Sequence, residues 1–488
     1  MGDNGFTRSQ GRSTYAGVVC ALIVFWLMTE QHTDVIFTPP TTPNGGLHVG
    51  HVSGPYLRAD LNRRLLGAIG SRAAHVSHID NYQTYVARKA SQFGRETLQF
   101  RDEMTALIRS DFHGFGIRFD QVIDNTADDY HAYLDTGLAE LFGSDRAIQA
   151  PEFVAADTWQ GAVEAFASGT CPACLQRAFL NVCENCGNPM DLTRVIGPVE
   201  ESTGSSEFVE VDDSPLPTTL MIDDADVGWL QSRHREIGVD NPALARFIDE
   251  LEPSRVALTF RSDYGYAVAP GRVVNPWFEI FFAHCYALGQ QMGLPADISF
   301  DQLKRALATA ECRPRVTYYF GFDNSYYYAV LFPLLARILD VPEMMPVALK
   351  ANRFLRIDGS KVSSSRGNVV WAHDLASRYS AMSLRGALAT VSPEVAETDF
   401  REEMLTKCSS WPAASDSARC IFDDPATLTG KTFRSNLERI ASPERFSIAL
   451  ILNRIGNAVK FAESTHASDA ERVELLGMVA HLRAVLEI

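Results

Sequence analysis

The reading of this chain turns on one stretch, Asp34-Val35-Ile36-Phe37-Thr38-Pro39-Pro40-Thr41-Thr42-Pro43-Asn44-Gly45-Gly46-Leu47-His48-Val49-Gly50-His51. It begins as an apolar run of strand length and passes through a segment punctuated by proline and glycine. It ends at a helix start whose pattern continues through Leu57, Leu61, Leu65 and Leu66. Strand, glycine-containing loop and helix start together bring free backbone N–H groups and the helix dipole to one point, where phosphate oxygens are favoured. His48 and His51 stand three residues apart, so they share a side of the first helical turn and face that anion. Asn44 and Gly50 are the expected nucleotide contacts, Gly50 because a side chain there would collide with the ligand.

Working outward, Ala73 to Ile79 reads as a second strand ending at Asp80. From Val35 onward short strands alternate with amphipathic helices, the pattern of a Rossmann-type α/β domain with a parallel sheet. Residues 147–255 interrupt it with four clustered cysteines and a Ser/Asp/Glu-rich stretch from Glu200 to Pro217. The expected division is an N-terminal extension (1–33), a first catalytic half (34–146), a connective insertion (147–255), a second half (256–345), a mobile-loop region (346–400) and a shortened helical domain (401–488). Strand-and-helix character resumes near Val256, and the best amphipathic run of the tail is Phe446 to Phe461. Within the extension, the apolar run Ala16 to Met28 is short of the about 18–20 residues that span a bilayer. Arg8 and Arg12 precede it, but no small-residue cleavage site follows. Residues 1–27 are expected to be dispensable; an ordered surface helix is the alternative.

The net charge of −16 over 488 residues argues against an indiscriminate nucleic-acid binder, although it leaves room for a local basic groove. Four of the nine cysteines form two CxxC turns, Cys171-Pro172-Ala173-Cys174 and Cys183-Glu184-Asn185-Cys186. Four soft ligands suit a closed tetrahedral zinc site, which is structural. The other five are scattered, which excludes a secreted disulfide framework and fits the cytoplasm. A second chemical motif is Asp358-Gly359-Ser360-Lys361-Val362-Ser363-Ser364-Ser365-Arg366-Gly367-Asn368. A hydroxyl-rich loop with a flexible lysine suits closure over a triphosphate and stabilisation of departing pyrophosphate.

His48-Val49-Gly50-His51 and Lys361-Val362-Ser363-Ser364-Ser365, in that order and separated by an insertion, resemble the two signatures of class I aminoacyl-tRNA synthetases. The strongest similarity is to methionyl-tRNA synthetase, over roughly Val35 to Phe400, with further matches at Gly54 to Asp60, Trp277-Phe278-Glu279, Gly321-Phe322-Asp323 and Arg378 to Arg385. The resemblance implies that His48, His51 and Lys361 are catalytic, binding phosphates and pyrophosphate with Mg²⁺. It implies that Gly321, Asp323, Ser363 and Ser365 lie along ATP, and that the cysteine knuckle holds zinc. Asp80 would pair with the ammonium of the substrate amino acid, and Trp277 would wall its pocket.

The chain departs from that family in three places. The second lysine of the mobile loop is Ser364. Pro39-Pro40-Thr41-Thr42 replaces the usual pocket entry, His284 a pocket tyrosine, and Tyr328 and Leu331 a histidine and a phenylalanine. Methionine is therefore not expected to be the best substrate. In the tail, the residues that would read an anticodon are replaced, and acidic and basic residues nearly balance over 401–488. Three readings follow: an adenylate-forming ligase whose acceptor is an amine or carrier protein, a methionine–tRNA ligase that charges tRNA, and a binding protein that keeps the fold. None of them involves a membrane.

Overall fold

The computed structural model describes residues 32–361, 369–407 and 416–488. The proposed extension 1–27, and Ser363, Ser364 and Ser365 of the second motif, lie outside the described residues.

Five strands form one wholly parallel sheet: β1 (His32–Phe37), β2 (Ala73–His78), β3 (Gln121–Ile123), β4 (Arg313–Gly321) and β5 (Pro346–Asn352), in the order β5-β4-β1-β2-β3. Its inner strands are buried almost without alternation, as expected of a sheet covered on both faces. The order reverses between β1 and β4, and in such sheets ligands bind outside the carboxyl ends of the strands at that point. Phe37, His78, Gly321 and Asn352 are those ends. The sheet begins two residues earlier than the expected boundary at 33/34. His32 and Thr33 pair with Arg313 and Pro314, and Arg315 reaches back to His32.

The helix of the opening stretch starts at Val49, widens through Val52–Tyr56 around Pro55, and continues as α1 (Leu57–Ala68). Helices α2 (Thr97–Gly114), α3 (Asp128–Phe142) and α4 (Pro276–Gln291) complete the catalytic layers. The insertion opens and closes on one antiparallel sheet, Ala147–Ile148, Thr219–Ile222 and Ser254–Ala257, which places its edges close to the expected 147 and 255. The doubly wound pattern does not resume at Val256, however. An antiparallel sheet of Thr259–Arg261, Ala267–Ala269 and Arg272–Val274 intervenes before α4, because short β-branched runs with turns between them satisfy a hairpin as readily as a buried strand.

Helix α5 (Ala381–Thr390) and the tail helices α6 (Asp416–Asp423), α7 (Leu428–Ala441), α8 (Ile448–Glu463) and α9 (Asp469–Leu486) share one hydrophobic core with α1 and α2. Polar contacts lock that junction. Asp60 accepts from Arg385 at 2.6 Å and from Arg64 at 2.7 Å, all three side chains buried, while Arg385 also donates to the Leu486 carbonyl. The match at Asp60 and Arg385 thus marks an ion pair between α1 and α5, which Arg385 extends to the last helix through the Leu486 carbonyl. Among the described residues no helix is long and apolar enough to cross a membrane.

Candidate active site

The loop after β1 is fixed first. Tyr56 donates to the Pro39 carbonyl at 2.8 Å, and Leu47 N–H donates to the buried Asp111 carboxylate at 2.7 Å. His373 approaches the other Asp111 oxygen at 3.4 Å. The chain beyond segment 362–368 is stitched to the same turn: Val49 N–H donates to Val370, Ala372 N–H to Leu47, and His48 pairs with Trp371. On that segment's other side, Leu355–Ile357 pairs with Ser360–Lys361, and Leu355 lies against Gly50. The described residues on either side of segment 362–368, Leu355–Lys361 and Val370–Ala372, are therefore attached close to the two histidines. The Lys361 backbone closes that hairpin; its side chain is outside the described residues.

His48 caps the helix and the two histidines cap each other. His51 N–H donates to His48 Nδ1 at 3.2 Å, and His48 N–H donates to His51 Nδ1 at 3.3 Å. Their rings stack with centroids 3.6 Å apart. Burial and the neighbouring His51 ring hold His48 well below the ordinary imidazole range; crowding by the protein also lowers His51, although its side chain is exposed to solvent and the full effect of burial does not apply to it. Each Nδ1 accepts, which requires the neutral ring, so each Nε2 carries the proton. The pair presents two N–H donors without the charge that the cleft would penalise. Gly50 serves a nearer purpose than nucleotide access. A Cβ there would lie 3.0 Å from the His48 ring, so the glycine is what allows the stacked arrangement.

Asp80 lies at the end of β2, held by its N–H to the Thr41 carbonyl. Gln83 and Thr42 hydrogen-bond its side chain, and Oδ1 has no partner among the described residues. Burial, reinforced by Glu279 and Glu164, pushes the Asp80 acid well above its ordinary range. A cation placed there would ionise it. Glu164 accepts from Thr84 and Asn181 on its two oxygens, whereas Tyr130 and Asn125 both donate to Glu279 Oε1 and leave the buried Oε2 without a partner among the described residues. Burial raises each of the two to about 7.

The Asp323 carboxylate folds back over Gly321, into the space a Cβ there would occupy. Asn44 is partly exposed in the first loop. His284 and Tyr328 come together as expected, with rings 6.3 Å apart. Leu331 is fully buried in the core, and Trp277 stacks on Tyr327 at 3.5 Å with only its edge toward Tyr328, so its main contact is with Tyr327. Sequence reasoning missed His78, Tyr318 and Asn352, all buried in or at the ends of β2, β4 and β5. Their positions near the carboxyl ends of strands were the available signal.

The cysteine cluster assembles as the spacing implies. Its four Sγ atoms lie within 4.8 Å of one another, with 3.8 Å from Cys171 to Cys186 and 3.6 Å from Cys174 to Cys183. Sulfurs at about 2.3 Å from a tetrahedral zinc stand about 3.8 Å apart, so the donor set fits that ion. Gly187, at φ +77°, turns the second knuckle and packs against Ser325, just beyond Asp323.

The sequence profile described as tRNA synthetases class I (M) matches residues 35–409. The chain belongs to that family. It is 25% identical over 391 residues to a methionine–tRNA ligase of Flavobacterium psychrophilum, covering 76% of this chain and 54% of the relative. It is 26% identical over 401 residues to that of Kineococcus radiotolerans, covering 75% and 64%. The chain thus spans roughly half to two thirds of the length of these synthetases. In fold it is similar to Mycobacterium tuberculosis methionyl-tRNA synthetase in complex with methionyl-adenylate, with a TM-score of 0.60 at 14% identity over 93% of this chain and 89% of the other.

Proposed function

We propose that this class I synthetase-family chain activates an amino acid with ATP and releases pyrophosphate. The observation that carries the reading is the convergence of the His48–His51 donor pair, the described residues flanking segment 362–368 and the half-satisfied Asp80 carboxylate around the sheet's switch point. In the reaction a carboxylate oxygen of the amino acid attacks the α-phosphorus of ATP. The bond from that phosphorus to the bridging oxygen breaks, and pyrophosphate carries away the electron pair. Asp80 orients the substrate by its ammonium, a charge-assisted bond. The two Nε2–H groups donate to phosphate oxygens as charge builds on them, and Lys361 meets the leaving pyrophosphate with the Mg²⁺ of the nucleotide. Gly321 and Asp323 lie along the adenosine, with Ser363 and Ser365 closing over the phosphates. Zinc at Cys171, Cys174, Cys183 and Cys186 supplies structure; one zinc per chain, lost in a Cys171→Ser/Cys183→Ser variant, is the expected elemental analysis.

The acceptor divides two readings. An amine or carrier protein is favoured by the near-balanced charge of 401–488, whose helices are engaged in bracing the catalytic core. A tRNA is favoured by the synthetase relatives. The deciding experiment screens single amino acids for ATP–pyrophosphate exchange, then offers the loaded enzyme total tRNA or candidate amines. Exchange with one amino acid supports the activation; charging of one tRNA, abolished by changing its anticodon, removes the amine reading.

A further inference from the structure

Beside Asp80 the protein buries an unusual concentration of polar atoms with nothing to bind. His78 lies two residues before Asp80 in the chain. The His284 ring of α4 meets it edge-on at 5.8 Å, and Tyr318 of β4 and Tyr328 lie 5.8 and 6.3 Å from His284. All four side chains are buried. Both nitrogens of each histidine and both tyrosine hydroxyls lack a hydrogen-bond partner among the described residues. Several nearby rings of the same kinds are satisfied: His75 contacts Thr38 and the Arg118 carbonyl, Tyr56 donates to Pro39, and Tyr319 donates to Asn62, although the buried Tyr133 hydroxyl also lacks a partner among the described residues. Native proteins leave few buried polar atoms unpaired, because each such atom costs free energy until a partner arrives.

We infer that His78, His284, Tyr318 and Tyr328 form the recognition site for a neutral, hydrogen-bonding amino-acid side chain, one that carries a hydroxyl, phenol or amide. This rests on the activation reading above, because Asp80 fixes the ammonium and so directs the side chain toward this cluster. Burial holds both imidazoles well below their ordinary range, so each offers one donor and one acceptor, as does each hydroxyl. That set complements a side chain able both to give and to accept. An apolar side chain leaves every atom unpaired. An ammonium side chain can only donate, so it leaves every N–H and O–H donor of the cluster unpaired.

The test is ATP–pyrophosphate exchange with matched pairs: threonine and valine, glutamine and norleucine, tyrosine and phenylalanine, with methionine alongside. The polar member of the preferred pair is expected to win by about 10⁴-fold in kcat/KM, the range of sites built to bond a hydroxyl or amide. Tyr328→Phe, which removes one hydroxyl and little volume, should cut that preference about tenfold by weakening the polar member alone. Methionine or an apolar member preferred, or an unchanged ratio in Tyr328→Phe, overturns the inference while activation stands. Exchange with no amino acid at all overturns the activation reading and the inference with it.

Discussion

His48 and His51, at the mouth of the cleft, and His78 and His284, at its floor, are the same ring in opposite circumstances. The first pair satisfies itself: each Nδ1 accepts the other residue's backbone N–H, which fixes both tautomers and turns two Nε2–H groups outward. The second pair is sealed among aromatic rings with all four nitrogens unpartnered. Burial keeps His78 and His284 neutral, and acceptance at each Nδ1 requires the neutral form of His48 and His51, so charge does not distinguish the pairs. What differs is who completes the hydrogen bonding. At the mouth the backbone does so, and the rings become fixed donors ready for charge that develops during reaction. On the floor nothing in the described chain does so, and the rings remain a demand that a ligand must meet.

The largest effect should come from the mouth. Replacing His48 or His51 by Ala removes one preorganised donor and should lower exchange by about 10²–10³-fold, with KM for the amino acid nearly unchanged. An equal loss in His78→Ala, expressed in kcat rather than KM, would erase the distinction between the pairs. Next comes pH. Glu279 and Glu164 both rise to about 7 on folding from an ordinary value of about 4.3, so the native state holds more protons between those limits. Their contribution to stability is full below about pH 4.3 and declines as pH rises to about 7, by up to about 3 kcal/mol each. Glu279→Gln should flatten that slope in urea titrations at pH 5 and pH 7.5; an undiminished slope contradicts the assignment. Gly50→Ala should then cost exchange about tenfold, the Cβ at 3.0 Å pushing the His48 ring out of its stack, with thermal stability little changed. Smallest is Tyr318→Phe. Deleting an unpartnered buried hydroxyl should leave stability unchanged or raise it by up to about 1 kcal/mol, whereas a loss of 2 kcal/mol or more would mean that the hydroxyl is already bonded in the folded protein.

Much of this was legible in the sequence because it depends on local spacing. The strand and loop before His48, the two-histidine turn, Asp80 after an apolar run and the paired CxxC knuckles each declare themselves within a few residues, and the structure assembles all of them. Contacts across the sheet were not legible. His78 and Tyr318 sit inside strands, where a buried polar residue reads as an interruption until the opposing ring is known. The limit at Val256 has the same origin, since short apolar runs do not say whether they will pair in a hairpin or join the parallel sheet. Trp277 was expected to wall the amino-acid pocket, but its stacking on Tyr327 depends on a turn that no local pattern specifies.

The central claim is that this cleft makes an aminoacyl adenylate, and it can be tested in a single turnover. Stoichiometric enzyme is mixed with α-labelled ATP, Mg²⁺, pyrophosphatase and a mixture of amino acids, then quenched and analysed for label in aminoacyl-AMP. The account predicts close to one adenylate per chain for the native enzyme and almost none for His51→Ala in the same interval. Absence of adenylate from the folded, zinc-loaded enzyme, or equal amounts from both proteins, would contradict it.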